Sequence, residues 1–421
     1  MSGDKLTWNG TFTMAVGGMV GGGIFSVLGV VIGVAGARAW LSLVLGGVIA
    51  LLAARSYVAL TTQWQVNGGS YGYLRHIGHP GFAGTLAWVL VIGYVLTLAV
   101  YAFTFGHYLA NVLGLATGVW PRVFAVGIIA ALVSVNLRGV GDSQRLEEIT
   151  VWAKMAVLLG LAAIGLVRFD AANLSSGGVG GRGWLGVVVG AASVFMAYEG
   201  FQLLAYDYDD IQEPDRTLPR AVTPAVAIVM VTYVAVALGV ASLVGAGVVV
   251  DKKEIALAAA GRVALGTAGL VIVTVAAVFS TGSAINATLF ATARLARSVA
   301  GDGQYPRWLG ATNERGAPYG AVLTLGVLAA VLAATGGLST LVESASLVFL
   351  VTFAIVGGVA WRSRVGRRSE AAAGTIAAAA AAVVLAVRIT AEQPVALLAL
   401  LVAVAAAAIV RPLVQRPQDA R

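Results

Sequence analysis

GGMVGGGIF, residues 17–25, is the stretch on which the reading of this chain turns. Five of its nine residues are glycine, and it lies inside the first long apolar run, about 11–34. Each glycine in a helix costs about 0.5–1 kcal/mol against alanine, so continuous helix is unfavourable here. Within lipid, irregular backbone is tolerated only where it is buried in protein or lines a water-filled cavity. A break would leave two half-helices, with free N–H groups and a positive dipole end turned toward the gap. Such a gap receives an anion, for instance a carboxylate. The plainer reading is a glycine face for close helix packing of the small-xxx-small kind. Taken alone, the stretch fits both.

The chain around it is built for lipid. Of 421 residues, 59% are hydrophobic and 11% charged, where a soluble domain carries about 25% charged residues. Charges cluster between apolar runs long enough to cross a bilayer as helices, so the chain reads as an all-α integral membrane protein. The absence of cysteine excludes disulfides and thiolate metal sites. The net charge of +8 follows topology and gives no reason to expect nucleic-acid binding. MSGDKLTWNG at the start has neither a basic n-region nor a clean apolar core, which argues against a cleaved signal peptide.

About twelve spans are expected. The first five cover about 11–35, 40–62, 82–113, 121–137 and 146–167. A glycine-rich loop at 174–183 separates them from spans at about 184–205, 221–246, 265–297, 319–335 and 339–361. Two more follow at about 371–388 and 394–410. The polar stretch 63–81 reads as a partly amphipathic connector, and 248–262 as an interfacial loop with a short helix. The domain reading is therefore an N-terminus of 1–10, a five-helix repeat over 11–167, a second over 184–361, a helix pair over 371–410 and a tail of 411–421. With the N-terminus inside, lysine and arginine favour the inner segments by about two to one. That places both termini in the cytoplasm and the protein in the cell membrane.

A second interruption, AYEGF at 197–201, falls in span 6, five spans after the first. Five helices per half make the second half enter the membrane from the opposite side. Paired interruptions in corresponding helices of two inverted halves point to the substrate site of a secondary transporter. This favours the gap reading of 17–25 over simple packing.

Four motifs, in order, give the chain a family resemblance. GGMVGGGIF resembles the glycine-rich motif of helix 1 in the amino acid–polyamine–organocation (APC) transporter superfamily. NGGSYGYLRHIGHPGFAG at 67–84 is similar to its loop into helix 3. FMAYEGFQ at 195–202, followed by EPDRTLPRA at 213–221, is similar to its helix 6 and downstream signature. ATARLARSVAGDGQYP at 291–306 is similar to the end of helix 8, with Gly301 where an arginine usually stands. The resemblance runs from about residue 11 to 364. It implies the fold of the bacterial leucine transporter: a 5+5 inverted repeat with broken helices 1 and 6, here followed by two C-terminal helices.

The resemblance also implies site residues. A substrate α-carboxylate would bind backbone N–H groups of Val20, Gly21, Gly22, Gly23 and Ile24. The α-ammonium would bind carbonyls of Phe195, Met196 and Ala197. Met196 stands where relatives often have an aromatic gate, so gating would either be looser or fall to Tyr198 or Phe201. Glu199, a carboxylate inside the break, reads as a partner of a cationic substrate, a proton carrier or a hydrogen-bonding group. Lys154, in the middle of span 5, is either a snorkelling amine or a buried one near the helix 1 break. It matches the position of a lysine that, in proton-coupled members, stands where sodium-coupled relatives hold an ion.

Other polar residues carry weaker readings. Ser280, Thr281, Ser283 and Asn286 suit hydrogen bonding between helices. Tyr94 and Tyr101 either line the cavity or pack. Glu343, Ser344 and Ser346 are candidates for the outer gate. Asp207, Asp209 and Asp210 suit a solvated or arginine-paired inner rim. His76 and His79 have metal-ligand spacing but no third ligand nearby, so no metal or other cofactor is expected.

The functional expectation is a secondary active transporter of amino acids or related amines, proton-coupled and sodium-independent, with substrate and proton as its small partners. A polyamine or organocation carrier, or a non-transporting amino-acid sensor on the same scaffold, are the alternatives. An enzyme is disfavoured because HExxH, G-x-S-x-G and cysteine are all absent. A channel is disfavoured because no repeated filter segment is present.

Overall fold

A chain whose helices are apolar on most sides can only surround itself with other helices and lipid. The computed structural model describes residues 5–138, 144–178 and 183–414. Among these residues no strand forms; Leu6 and Ile211 make one isolated parallel bridge. Residues 1–4 and 415–421 of the expected termini lie outside the described residues, as do 139–143 and the glycine-rich 179–182.

Span 1 is two helices, α1 (Trp8–Met19) and α2 (Gly23–Ala35). Helix α1 starts earlier than the apolar run because the Thr7 side chain caps it, accepting from the Gly10 N–H at 3.3 Å. Gly17 and Gly18 stay helical, and the break is confined to residues 20–22. Then follow α3 (Ala39–Trp64), the short α4 (Gly69–His76), α5 (Pro80–Val112), α6 (Trp120–Leu137) and α7 (Gln144–Val167).

Span 6 departs from its expected course. Helix α8 (Gly183–Ser193) stops three residues before AYEGF. Two 3₁₀ segments, Phe195–Tyr198 and Phe201–Tyr206, replace the expected return to α-helix. Glu199 between them is extended, and Gly200 has φ +135°. The span is thus broken from residue 194 onward rather than across 197–201 alone.

The remaining helices are α9 (Pro214–Val244), α10 (Ala246–Asp251), α11 (Ala256–Gly301), α12 (Arg307–Gly310), α13 (Tyr319–Thr335), α14 (Leu338–Ser363), α15 (Arg368–Glu392) and α16 (Pro394–Val414). Pro214 and Asp215 open α9 seven residues before the apolar run, as proline and an acid in a first turn favour. Helix α11 is kinked at Leu265 and Gly266, where span 8 was expected to start. Among the described residues eight helices are long and apolar enough to cross a membrane, with α2 and α3 counted together. Gly183–Ser193, Tyr319–Thr335 and Pro394–Ile409 are shorter apolar helices. Large apolar side chains such as Val231, Val327, Val383 and Val387 are more than half exposed, as a lipid solvent allows.

The two broken segments touch backbone to backbone. A Cβ on Gly200 would lie 2.4 Å from the Gly18 carbonyl carbon, and one on Gly18 would lie 3.0 Å from Gly200 Cα. Glycine at both positions is what lets the segments cross. Gly200→Ala therefore combines about 1–3 kcal/mol of backbone strain with about 1–3 kcal/mol of overpacking. We expect a clear loss of monodisperse protein and of thermal stability in detergent. Gly303→Ala, at φ +73° with open space around it, should shift the melting temperature much less. Equal shifts for the two variants would contradict this account of the crossing.

Candidate functional site

A helix that ends inside the membrane leaves its last carbonyls without intrahelical donors, and no water is at hand to take them. The end of α1 solves this with donors from three other helices. The Lys154 amine on α7 donates to the Gly17 carbonyl at 3.2 Å. The Tyr233 hydroxyl on α9 lies 2.8 Å from the Met19 carbonyl and 2.9 Å from that of Ala197. Its single proton is therefore shared between the two breaks. The Ser280 hydroxyl on α11 faces the carbonyls of Val20, at 2.8 Å, and Gly21.

Beyond the break, α2 begins at Gly23 without any side-chain cap. Its first N–H groups are those assigned to a substrate carboxylate. The space beside them is filled. A Cβ on Gly22 would lie 2.0 Å from the Tyr101 ring, and one on Gly23 would lie 2.4 Å from the Tyr233 hydroxyl oxygen. Val20, Gly21, Gly22, Gly23 and Ile24 are all buried.

The second break is braced in a similar way. Ser346 on α14 accepts the Met196 N–H and donates to the Ser193 carbonyl, both at 3.0 Å. This serine thus holds the start of the span 6 break. The Gln202 side chain accepts the Gly200 N–H at 2.8 Å and donates to Glu199 Oε1 at 2.7 Å. It also reaches the Tyr94 hydroxyl at 3.4 Å. Tyr198 donates to the Leu43 carbonyl at 2.6 Å, and Phe201 packs edge-on to Tyr57 and against Phe353. Phe195, Met196, Ala197 and Glu199 are buried with them.

Below the crossing lies a cavity of about 1130 Å³. Gly17, Gly18 and Lys154 border it, with Glu147, Ser283 and Asn286 also on its wall. Arg75, Asp207, Asp210 and Arg294 belong to the same lining. None of the ten residues assigned to substrate binding lines the cavity. It reaches the last turn of α1 and stops, because Tyr101, Tyr233 and Ser280 occupy the break itself.

The rim of this cavity is charged and paired. Arg294 binds Asp207 at 3.1 Å and approaches Asp210 at 3.8 Å, as the arginine-paired reading of the acidic segment implied. Burial pushes the Asp207 carboxyl up to about 6, Arg294 pulls it back, and Asp210 adds to the rise. Asn67 bonds Asp209, and Arg75 bonds Asp302. A different buried pair stands at the start of α14: Glu343 meets Arg388 of α15 at 2.9 Å and accepts from Gln393 at 3.0 Å.

Several other expectations sort out here. Ser280 bonds across helices, and Asn286 accepts from Asn136 on α6 at 2.8 Å. Thr281 and Ser283 instead bond carbonyls of their own helix. Tyr94 and Tyr101 are fully buried and border no part of the cavity. His76 stacks on Trp64 with ring centroids 4.6 Å apart, and no group of three metal-ligating side chains exists among the described residues. Tyr233 and Gly200 drew no individual notice in the sequence. A tyrosine in the run VMVTYVAVALG reads as packing, and nothing local marks its hydroxyl as the link between two breaks.

Comparison with known proteins agrees with this architecture. The description "Amino acid permease" covers residues 6–414. The chain is 30% identical to the inner membrane transport protein YbaT of Escherichia coli, over 85% of this chain and 83% of the other. It is 26% identical to the methylthioribose transporter of Bacillus subtilis, over 82% and 77%. It is also 26% identical to the branched-chain amino acid permease BcaP of Lactococcus lactis, over 86% and 83%. With a match spanning nearly all of its length, and with two broken segments crossing at the head of a cavity, this chain belongs to the amino acid permease family of membrane transporters.

Proposed function

We propose that the protein is a secondary active transporter of amino acids or related amines, working by alternating access across the cell membrane and driven by protons rather than sodium. The observation that carries this is the crossing of two broken helices at the head of a single large cavity, with a buried amine beside it. The state described is open toward the side that holds Leu6, Arg75 and Arg294, which the arginine bias identifies as the cytoplasm. The same reading of the arginine bias assigns both termini to that side.

Twelve spans and an inverted 5+5 repeat fit the helix contacts. Exchanging each span for the one five places on maps the α1–α9 contact onto α8–α3. The same exchange maps α5–α14 onto α11–α7, α5–α6 onto α11–α13, and α7–α9 onto α14–α3. All eight pairings are present, a pattern expected of two halves built alike.

In this reading the substrate carboxylate sits on the N–H groups of residues 20–24, and the ammonium on the carbonyls of residues 195–197. Occupancy requires the Tyr101 ring to leave Gly22. Met196, being unbranched and adaptable, accepts side chains of differing shape above it. Relatives that carry branched-chain amino acids or methylthioribose show how far side-chain chemistry varies on this scaffold. Glu199 tilts the present site toward amines.

Lys154 supplies the coupling. Its amine is buried, faces the Gly17 carbonyl and borders the cavity, so its charge can be lost and regained as the cavity opens to each side. While charged it discourages sodium at the break. In proteoliposomes, a proton gradient should drive accumulation without sodium, and Lys154→Ala should reduce uptake to equilibration with the outside. A variant that still concentrates substrate, or a wild type that requires sodium, would overturn the mechanism.

Glu199→Gln tests the substrate class. A hydrogen bond to a charged group is worth about 1.5–3 kcal/mol, so the half-saturation concentration for lysine, arginine or a polyamine should rise by roughly tenfold or more. Neutral amino acids should change little. An equal loss for both classes would assign the carboxylate to structure, through the Gln202 network, or to proton handling instead.

A further inference from the structure

The turn from α14 to α15 holds charge that neither the cavity nor the helix breaks use. Its sequence, WRSRVGRRSE at 361–370, carries Arg362, Arg364, Arg367 and Arg368, and Arg55 of α3 stands beside it. One carboxylate answers these five guanidinium groups: Glu370 takes Arg55 at 2.7 Å and Arg367 at 3.2 Å. Arg362, Arg364 and Arg368 are exposed, with no acidic partner among the described residues. Some arginines elsewhere pair with acids, as Arg75 does with Asp302 and Arg294 with Asp207; what marks this turn is that three unpaired guanidinium groups fall within seven residues of chain.

The depth of the turn can be read from its contacts. A Cβ on Gly366 would lie 2.9 Å from Ala59 Cβ, and one on Gly374 3.0 Å from Leu52 Cβ, so the turn lies against α3 near residue 59. Helix α3 begins at Ala39, which puts Ala59 about 30 Å along its axis. That is about the thickness of the hydrocarbon core. With α3 entering the hydrocarbon at its start, the guanidinium groups come at headgroup level. Trp361, 39% exposed at the same turn, has the amphipathic ring that favours this level.

The turn is also held in place. Val365 is buried, and its N–H donates to the Ala360 carbonyl at 3.0 Å. Arg364 closes α14 in the left-handed conformation. Helix α15 then starts at Arg368 with no side-chain cap, so its first N–H groups face the same space. Ile376, Val383 and Val387 fall on one face of α15 and are more than 60% exposed, forming an apolar stripe that runs away from the turn. Topology alone asks only that positive charge remain on this side. It does not ask for three unpaired guanidinium groups on a fixed turn above an apolar stripe.

We propose that the α14–α15 turn binds the phosphate headgroup of an anionic phospholipid, whose acyl chains lie along the outer face of α15. Guanidinium groups match phosphate oxygens in bidentate geometry, and a basic site at this depth recognises an acidic lipid headgroup. The site bears on α14, the helix that braces the span 6 break through Ser346.

The test uses the delipidated full chain in a neutral detergent. Thermal unfolding is followed with added phosphatidylglycerol, phosphatidylcholine or soluble glycerol phosphate, and native mass spectrometry counts retained lipid. Phosphatidylglycerol should raise the melting temperature, and the other two should not. The triple variant Arg362→Gln, Arg364→Gln, Arg368→Gln should lose that rise and retain phosphatidylglycerol about a hundredfold more weakly, as three charges imply. Arg307→Gln with Arg315→Gln, away from this turn, should behave as wild type. An unchanged rise in the triple variant, an equal rise with phosphatidylcholine, or a full rise with glycerol phosphate would overturn the proposal. Should the triple variant not fold, native spectra of the wild type decide: failure to retain phosphatidylglycerol over phosphatidylcholine would overturn it too.

Discussion

The frayed carbonyl end of α1 is the constraint around which the bundle is arranged. A soluble protein would leave those carbonyls to water. Here side chains meet the carbonyls of Gly17, Met19, Val20 and Gly21, since an unpaired polar group in lipid costs several kcal/mol. Lys154, Tyr233 and Ser280 come from α7, α9 and α11, so one helix end fixes three others around it. Tyr233 extends the constraint to the second break by sharing its proton with Ala197. Motion of α1 relative to the span 6 break must therefore pass through this hydroxyl. It can follow either carbonyl, but it cannot hold both once they separate.

Much of this was legible from glycine. The cluster at 17–25 located the first break, and the interruption AYEGF at 197–201, five spans later, pointed to the second. Apolar runs gave most spans to within a few residues, because helices that face lipid carry their boundary in composition. What failed was finer. Gly17 and Gly18 looked like part of the gap yet remain helical, because their lack of a side chain serves close packing, of Gly17 on Val151 of α7 and of Gly18 on Gly200, rather than a change of direction. The end of span 6 looked like helix, and its apolar residues would suit helix, but the tight turn at Gly200 leaves only 3₁₀ geometry. Local composition does not record such long-range contacts.

The candidate site was less legible than the fold for the same reason. Glu199 stood out because a carboxylate in an apolar span is rare. Its partner Gln202, three residues on, gained meaning only once the backbone brought it under Gly200. Ser346 read as part of a gate, and it holds backbone on both sides of the start of the span 6 break. The two functions are compatible, since a serine that fixes the break also fixes what the break can open toward.

The end of the bundle opposite the cavity is closed by elements of unequal strength. Glu343 has no exposed side-chain area, and Arg388 little. Removing one partner of such a pair costs about 3–5 kcal/mol, so the pair is not a latch that thermal motion opens at every cycle. Because Arg388 belongs to α15, which also packs along α3, α14 and α15 behave as one body at that end. The segment at 246–256 is a lighter cover: it lies on α2, where Lys253 abuts Gly29, and its polar link to α14 is the Lys253–Ser339 contact at 3.4 Å. On the proposed alternating-access reading, α2 and this cover are the elements that would move away from the α14–α15 pair, since they are held to it less firmly than Glu343 is to Arg388. Helices α14 and α15 would then belong to the frame against which the broken helices move.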